Sequence, residues 1–416
     1  MKILVFILIF SLSNTAFSIQ RFPPPEFETE HELPVTTVPS PRSDIYEYLD
    51  VIVLLLALSV SSYLALKRRS RRGIFVMVIF SMIYFGFWRK GCVCPIGAIQ
   101  NITLALSNQG YAVPITVIAF FLLPLIFSLF FGRVFCASVC PLGAIQDIFA
   151  LRPLKVPAWV EHTMGTLAYI YLGFSVLFAA TGSAFVICRY DPYVSFYRMS
   201  GSTNIIILGT SLLLIGVFVA RPYCRYLCPY NVLLRIVSRA SKWHVSITPA
   251  ECINCRLCED SCPFGAIQKP NEEKAAVSRS EGKIRLAILM LILPIIIVSG
   301  VLIGIRSGKP LSQVNTRVQL AQRVWMEDNG MVEGTTEQSD AFKKTGKPKE
   351  ELYQEAVRIN RKFTIGSGIL GGFIGLVIGS KIIQLSVRRS RTYYEVNRAS
   401  CLSCGRCFSY CPVKNK

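Results

Sequence analysis

Seven apolar stretches, near residues 45–66, 73–88, 112–132, 164–187, 204–220, 284–305 and 363–384, leave little of this chain for a water-soluble core. A helix needs about 20 residues to cross about 30 Å of hydrocarbon, and most of the stretches are that long, 73–88 and 204–220 being marginal. Lipid offers the backbone no hydrogen-bond partners, so such spans close their amide groups on themselves as helices. The expected fold is therefore an α-helical membrane protein with about seven transmembrane helices. Lys and Arg exceed Asp and Glu by 45 to 25. That surplus gathers beside the apolar stretches, at Lys67–Arg72 and Arg388–Arg391, as in membrane proteins, and gives no reason to expect nucleic acid.

Residues 1–18 read as a signal peptide, with Lys2, an apolar core from Ile3 to Ser11 and small residues at Ala16–Ser18. A polar, Pro-rich tether at 19–44 follows. Export of the N-terminus puts Lys67–Arg72 in the cytoplasm, 89–111 outside, 133–163 inside, 188–203 outside, 221–283 inside, 306–362 outside and the C-terminus inside. The expected location is the bacterial inner (cytoplasmic) membrane, with a periplasmic N-terminus. Along the chain this gives helices 1–5 in 45–240, a soluble segment at 241–283, helix 6 at 284–305, a loop at 306–362, helix 7 at 363–384 and a second soluble segment at 385–416. Helix-like patches run from Val314 to Met326 and from Glu350 to Ile359, and Gly368, Gly372, Gly375 and Gly379 suit close helix packing.

The chain holds 15 Cys against 3 His, a thiolate-rich ligand inventory. Two C-x2-C-x2-C-x3-C-P runs carry eight of them: Cys252, Cys255, Cys258 and Cys262, then Cys401, Cys404, Cys407 and Cys411. In two-cluster ferredoxins the fourth Cys of each run serves the other cluster. The expected ligands are Cys252, Cys255, Cys258 and Cys411 for cluster I, and Cys401, Cys404, Cys407 and Cys262 for cluster II. Structural zinc is the other four-cysteine chemistry, and two complete runs with trailing Pro argue against it. Each run follows a strand-like segment, Trp243–Thr248 and Tyr393–Asn397, so a small cytoplasmic α+β ferredoxin-like domain, split in sequence, is expected.

A heptapeptide, Cys-Pro-x-Gly-Ala-Ile-Gln, recurs at Cys94, Cys140 and Cys262. Cys136-x3-Cys140-Pro141 and Cys224-x3-Cys228-Pro229 both fall at the inner helix ends and together supply four thiolates, enough for one [4Fe–4S] cluster. Plain packing of small apolar thiols is the alternative. On the outer side Cys92, Cys94 and Cys188 form a reduced echo, and Cys188-Arg-Tyr-Asp191-Pro aligns with Cys224-Arg-Tyr-Leu-Cys228-Pro across one gap. Asp191 thus stands opposite Cys228 as a fourth ligand of an outer cluster, and the helices read as an inverted repeat. A disulfide or plain packing competes for this set. Arg133, Arg189 and Arg225 neighbour these ligands and either offset thiolate charge or anchor at the interface. Eight, four and three account for all 15 cysteines.

Haem finds no support: His31, His162 and His244 lie outside the expected spans and no C-x-x-C-H occurs. No phosphate loop is present either. The C-x3-C-P helix ends, the wording of Gly132–Asp147 and the cysteine runs resemble the NosR/NapH-type membrane polyferredoxins over about 73–270 and 388–412. Thr335–Phe363 also resembles NosR. The resemblance implies electron transfer between a cytoplasmic or quinol donor and a periplasmic partner, such as a nitrous oxide or nitrate reductase system. The segment before the first span is too short for the flavin domain of NosR-type proteins, so a separate flavoprotein or cytochrome is expected in that role. Membrane lipid is the other expected partner. An assembly factor that uses electrons to mature a metalloenzyme is the alternative function, and quinol oxidation at the membrane surface a third.

Overall fold

The computed structural model describes residues 43–91, 95–108, 110–151, 153–247, 252–253, 255–270, 279–386, 391 and 393–412. The signal peptide, most of the tether, Cys92, Cys94, Arg388 and Arg389 lie outside them.

Each expected apolar stretch forms a helix. α1 (Asp44–Leu66), α2 (Arg71–Trp88), α7 (Ala158–Ala180), α14 (Arg279–Ser312) and α17 (Lys349–Ser386) hold segments long and apolar enough to cross a membrane. α4 (Ile115–Phe131) and α10 (Thr203–Gly216) are apolar but shorter. The Ser70 side chain caps α2 by accepting from Gly73 N, and α2 winds as a π-helix from Met82 to Trp88. His162 falls in the first turns of α7, inside a span that begins earlier than its sequence suggests.

α14 and α17 pair along their apolar lengths through glycine. A Cβ on Gly300 would run into the Gly371 carbonyl oxygen, and one on Gly304 into that of Ser367. The two backbones therefore touch, as small-residue interfaces allow. α17 also absorbs the patch expected at Glu350–Ile359, because nothing between Ile359 and Phe363 breaks a helix. Phe363 is fully buried there against Phe178 of α7. Beyond the α14–α17 hairpin, α15 (Thr316–Asp328) and α16 (Glu337–Lys344) enclose a small core of Val318, Val324, Phe342 and Leu352. Asn315 caps α15, its side chain accepting from Arg317 N at 2.9 Å.

The two cysteine runs meet. Strand β1 (Ile267–Gln268) pairs antiparallel with β2 (Glu395–Val396), and α13 (Leu257–Ser261) packs on α18 (Arg406–Tyr410). The strand-like reading of Trp243–Thr248 is corrected: residues 243–247 form no strand. Lys242 N and Trp243 N donate instead to Leu129 O and Phe130 O at the end of α4, and the Trp243 ring stacks on Phe131. The bundle satisfies this segment's backbone and its aromatic ring before a strand partner can.

Candidate metal centres

The heptapeptide folds in two ways. At Cys140 it starts α6 (Pro141–Phe149), and its copy after Cys94 starts α3 (Pro95–Ser107). At Cys262 it makes a turn, with Gly265 at φ +59°, and runs into β1. In the helical copies glycine gives room to neighbours. A Cβ on Gly143 would stand 3.2 Å from Arg221 Nη1 and 3.3 Å from Cys136 O, and one on Gly97 would stand 3.1 Å from Cys188 Sγ.

Proline holds the residue before it in extended backbone. Cys140 and Cys228 accordingly sit at ψ 118° and 115°, as N-caps of α6 and of α12 (Pro229–Ser238). Cys136 lies in a π-wound turn, α5 (Phe135–Val139), and Cys224 in α11 (Pro222–Tyr226). Both N-caps lie within the bundle. Val139 O accepts from Ser81 Oγ, ten residues or about 15 Å along α2 from Arg71, whereas Asp147 of α6 pairs with Arg71 itself at 2.8 Å. α6 therefore runs from the interior back to the end where α2 begins. α12 does the same: Tyr230 Oη donates to Phe121 O, and Ser238 Oγ reaches Arg398 O at 3.3 Å. Cys136, Cys140 and Cys224 all act electrostatically on Cys228, so the four form one proximal set beside the cysteine runs.

Three groups fix this set. The Gln146 carboxamide accepts from Tyr223 N at 3.1 Å and donates to Cys224 Sγ at 3.1 Å. Arg221, 1% exposed, donates to Cys136 O and to Ala137 O. Asp147 lies 2.8, 3.4 and 3.6 Å from Arg71, Arg221 and Arg406.

The distal set is reached from the opposite end. α3 packs on α8 (Val186–Tyr190), which carries Cys188, and Gln100 Oε1 accepts from Ile187 N and Cys188 N at 3.1 and 3.4 Å. Cys92 and Cys94 lie outside the described residues. Asp191 is buried, and its Oδ1 accepts from Tyr193 N and Val194 N at the start of α9 (Val194–Arg198). Its carboxylate faces the Tyr223 side chain, one residue from Cys224. Tyr193 packs edge-on against Tyr223, 5.5 Å between ring centroids, and Tyr197 Oη donates to Pro141 O. A layer of buried tyrosines thus separates the two sets.

In the paired runs, Cys262, Cys401, Cys404 and also Cys258 act on Cys407, and burial pushes the Cys401 thiol up to about 12. Cys252 and Cys255 act on Cys258, while Cys411 ends α18, which packs on α13. Both short helices follow a left-handed residue, Arg256 at φ 64° and Gly405 at φ 72°, so the two runs wind alike. The runs also dock on the proximal set. Arg71 Nη1, Arg133 Nη1 and Arg225 Nη1 donate to Cys404 O, Ala399 O and Pro263 O. Arg189 lies over the ring of Tyr190. Sequence reading missed Arg221, Asp147, both glutamines and the tyrosines, although Gln closes every heptapeptide and Asp147 follows one directly.

Among the described residues no three His, Cys, Asp or Glu side chains converge tightly enough for a single metal ion. Thiolates around a four-iron cubane stand further apart, so the donor chemistry has to be judged by its ligands. The model of a 4Fe-4S binding domain, Fer4_5, matches residues 113–158 and 202–248, the two stretches with the proximal cysteines. A second 4Fe-4S binding domain model, Fer4, matches 245–268. Identity is 30% over 122 residues with "Putative electron transport protein YccM" of Escherichia coli, spanning 27% of this chain and 34% of that one. It is 26% over 213 residues with "Protein NirI" of Paracoccus denitrificans, spanning 47% of this chain and 26% of NirI. The two 4Fe-4S models and these relatives support the resemblance to the NosR/NapH-type membrane polyferredoxins.

An uncharacterised Methanocaldococcus jannaschii protein, MJ0750, is 28% identical over 185 residues, 44% of this chain and 77% of its own length. No solved structure matches. The chain is thus a membrane protein with 4Fe-4S binding domains. Its side chains suit such a cofactor. Thiolates are the usual ligands of iron–sulfur clusters, and the proximal set offers four of them beside an amide donor on Cys224 and a buried guanidinium.

Proposed function

We propose that this chain is an electron conduit across the bilayer, holding four [4Fe–4S] clusters. Clusters I and II bind in the split ferredoxin domain, one more at Cys136, Cys140, Cys224 and Cys228, and one at Cys92, Cys94 and Cys188 with Asp191. Bound clusters supply one-electron storage sites. The chain's own residues would hold them in line.

One observation carries this reading. Cys136 of the proximal set packs with Cys262 and Cys404 against a single apolar cluster of Ala220, Phe264 and Leu402. Cluster II would thus abut the proximal cluster without intervening solvent. On the other side, Tyr223 and Tyr193 bring Cys224 next to Asp191, so the stations would be contiguous from one end of the bundle to the other. Asp50, the buried carboxylate of α1, is neutralised by Arg89 at 2.7 Å and bonded by Tyr84, which suits a fold that moves electrons and not ions.

The ferredoxin domain would face the cytoplasm of a bacterial inner membrane, with the N-terminus periplasmic after signal cleavage. A cytoplasmic or quinol donor would feed one end, and a periplasmic flavoprotein, cytochrome or reductase would draw from the other. The similarity to YccM, described as "Putative electron transport protein", accords with this. Vesicles test it. With the purified protein in sealed liposomes, an impermeant reductant outside should bleach an impermeant oxidant trapped inside, and protein-free liposomes should not. Clusters that are reduced while the trapped oxidant survives would overturn the conduit.

A further inference from the structure

We infer that Gln146 is a hydrogen-bond donor to sulfur in the proximal cluster site, and that it raises the reduction potential of that site. The inference rests on the proposed proximal cluster and concerns what sets its potential.

Both glutamines close the same heptapeptide and both are wholly buried, at 0% exposure. Each uses its carbonyl oxygen in the same way. Gln146 Oε1 takes the amide of Tyr223, the residue before Cys224, and Gln100 Oε1 takes the amides of Ile187 and Cys188. A carboxamide whose oxygen is held by backbone N–H groups must turn its NH2 the other way. In Gln146 that NH2 donates to Cys224 Sγ at 3.1 Å and to Leu142 O at 2.7 Å. In Gln100 it is buried with no acceptor among the described residues. Gln100 shares the mount and the burial of Gln146, and the contact with sulfur is made by Gln146. The third heptapeptide provides the contrast, because Gln268 lies in β1 and its backbone pairs with Glu395.

Hydrogen bonds to sulfur are one of the levers on cluster potential. A donor stabilises the more negative, reduced state, so its loss lowers the midpoint. Gln146→Met keeps the length and neutrality of the side chain and removes the donor. Redox titration of the full-length protein in detergent, followed by electron paramagnetic resonance, is expected to show one midpoint moving down in the Gln146→Met protein, with the others unmoved. Should the variant lose a cluster, the wild type answers instead: glutamine labelled with 15N in its side chain should give a hyperfine coupling to the reduced cluster. Unmoved midpoints at full iron content, or no 15N coupling, would overturn the inference and leave the conduit standing. A wild type that holds only the ferredoxin clusters would overturn both.

Discussion

Replacing Asp147 by Asn is expected to destabilise the protein by about 3–5 kcal/mol, the cost of breaking a buried ion pair on one side. The Asp147 side chain is 3% exposed and answers three guanidiniums, those of Arg71, Arg221 and Arg406. Arg71 and Arg406 are partly exposed, so water screens part of their loss. Arg221 has no such relief, being 1% exposed, and the change would leave its charge buried without a counter-ion. The three arginines come from three places: the start of α2, the proximal set and the second cysteine run. The expected result is therefore a lower thermal midpoint in detergent together with faster proteolysis of the docked runs. A loss below about 1 kcal/mol, the range of a surface pair, would contradict it.

The same residue fixes a pH limit. Burial alone would raise the Asp147 pKa, but Arg221 and Arg71 outweigh it and hold the carboxyl below its usual range. A depressed folded value means that the stabilisation is complete above the unfolded value, near pH ~4, and is lost as pH falls through the folded one. Docking of the runs should therefore survive at pH 5 and fail only in stronger acid.

The second large effect is expected for Gly304→Leu. A Cβ at Gly304 already overlaps the Ser367 carbonyl oxygen and stands 3.1 Å from Gly368 Cα, so α14 and α17 would have to part. In lipid no hydrophobic force draws helices back together, and association depends on close packing. α14 has no other buried face in its apolar window. The consequence reaches the metal sites, because α14 follows the first cysteine run and α17 precedes the second. Splaying this hairpin should separate the halves of the ferredoxin domain, and iron retained on purification should fall by about half, two cubanes of four. Ile303→Leu, at a lipid-facing position 66% exposed, is the control and should change nothing. Full iron content in Gly304→Leu protein would contradict the account.

Helices were the legible part of this sequence, since hydrocarbon length and backbone closure leave a long apolar stretch few alternatives. Cysteine spacing was equally direct, and the runs meet through β1 and β2 although α14, α15, α16 and α17 intervene. What spacing alone did not reveal was depth. Pro141 and Pro229 start helices that turn back from the interior, and only contacts such as Ser81 to Val139 locate those starts. Arg221 was hidden for a related reason. In sequence it is one basic residue near an apolar stretch, and only the room left by Gly143 brings it against the Cys136 carbonyl. The strand expected at Trp243–Thr248 failed because a tertiary neighbour, Phe131, claimed its aromatic ring.

The most direct test of the conduit is the content of iron and acid-labile sulfide per chain, on protein purified anaerobically in detergent. Four cubanes predict about sixteen of each. About eight of each would mean that only the ferredoxin domain is loaded, and that the cysteines buried in the bundle hold no cluster.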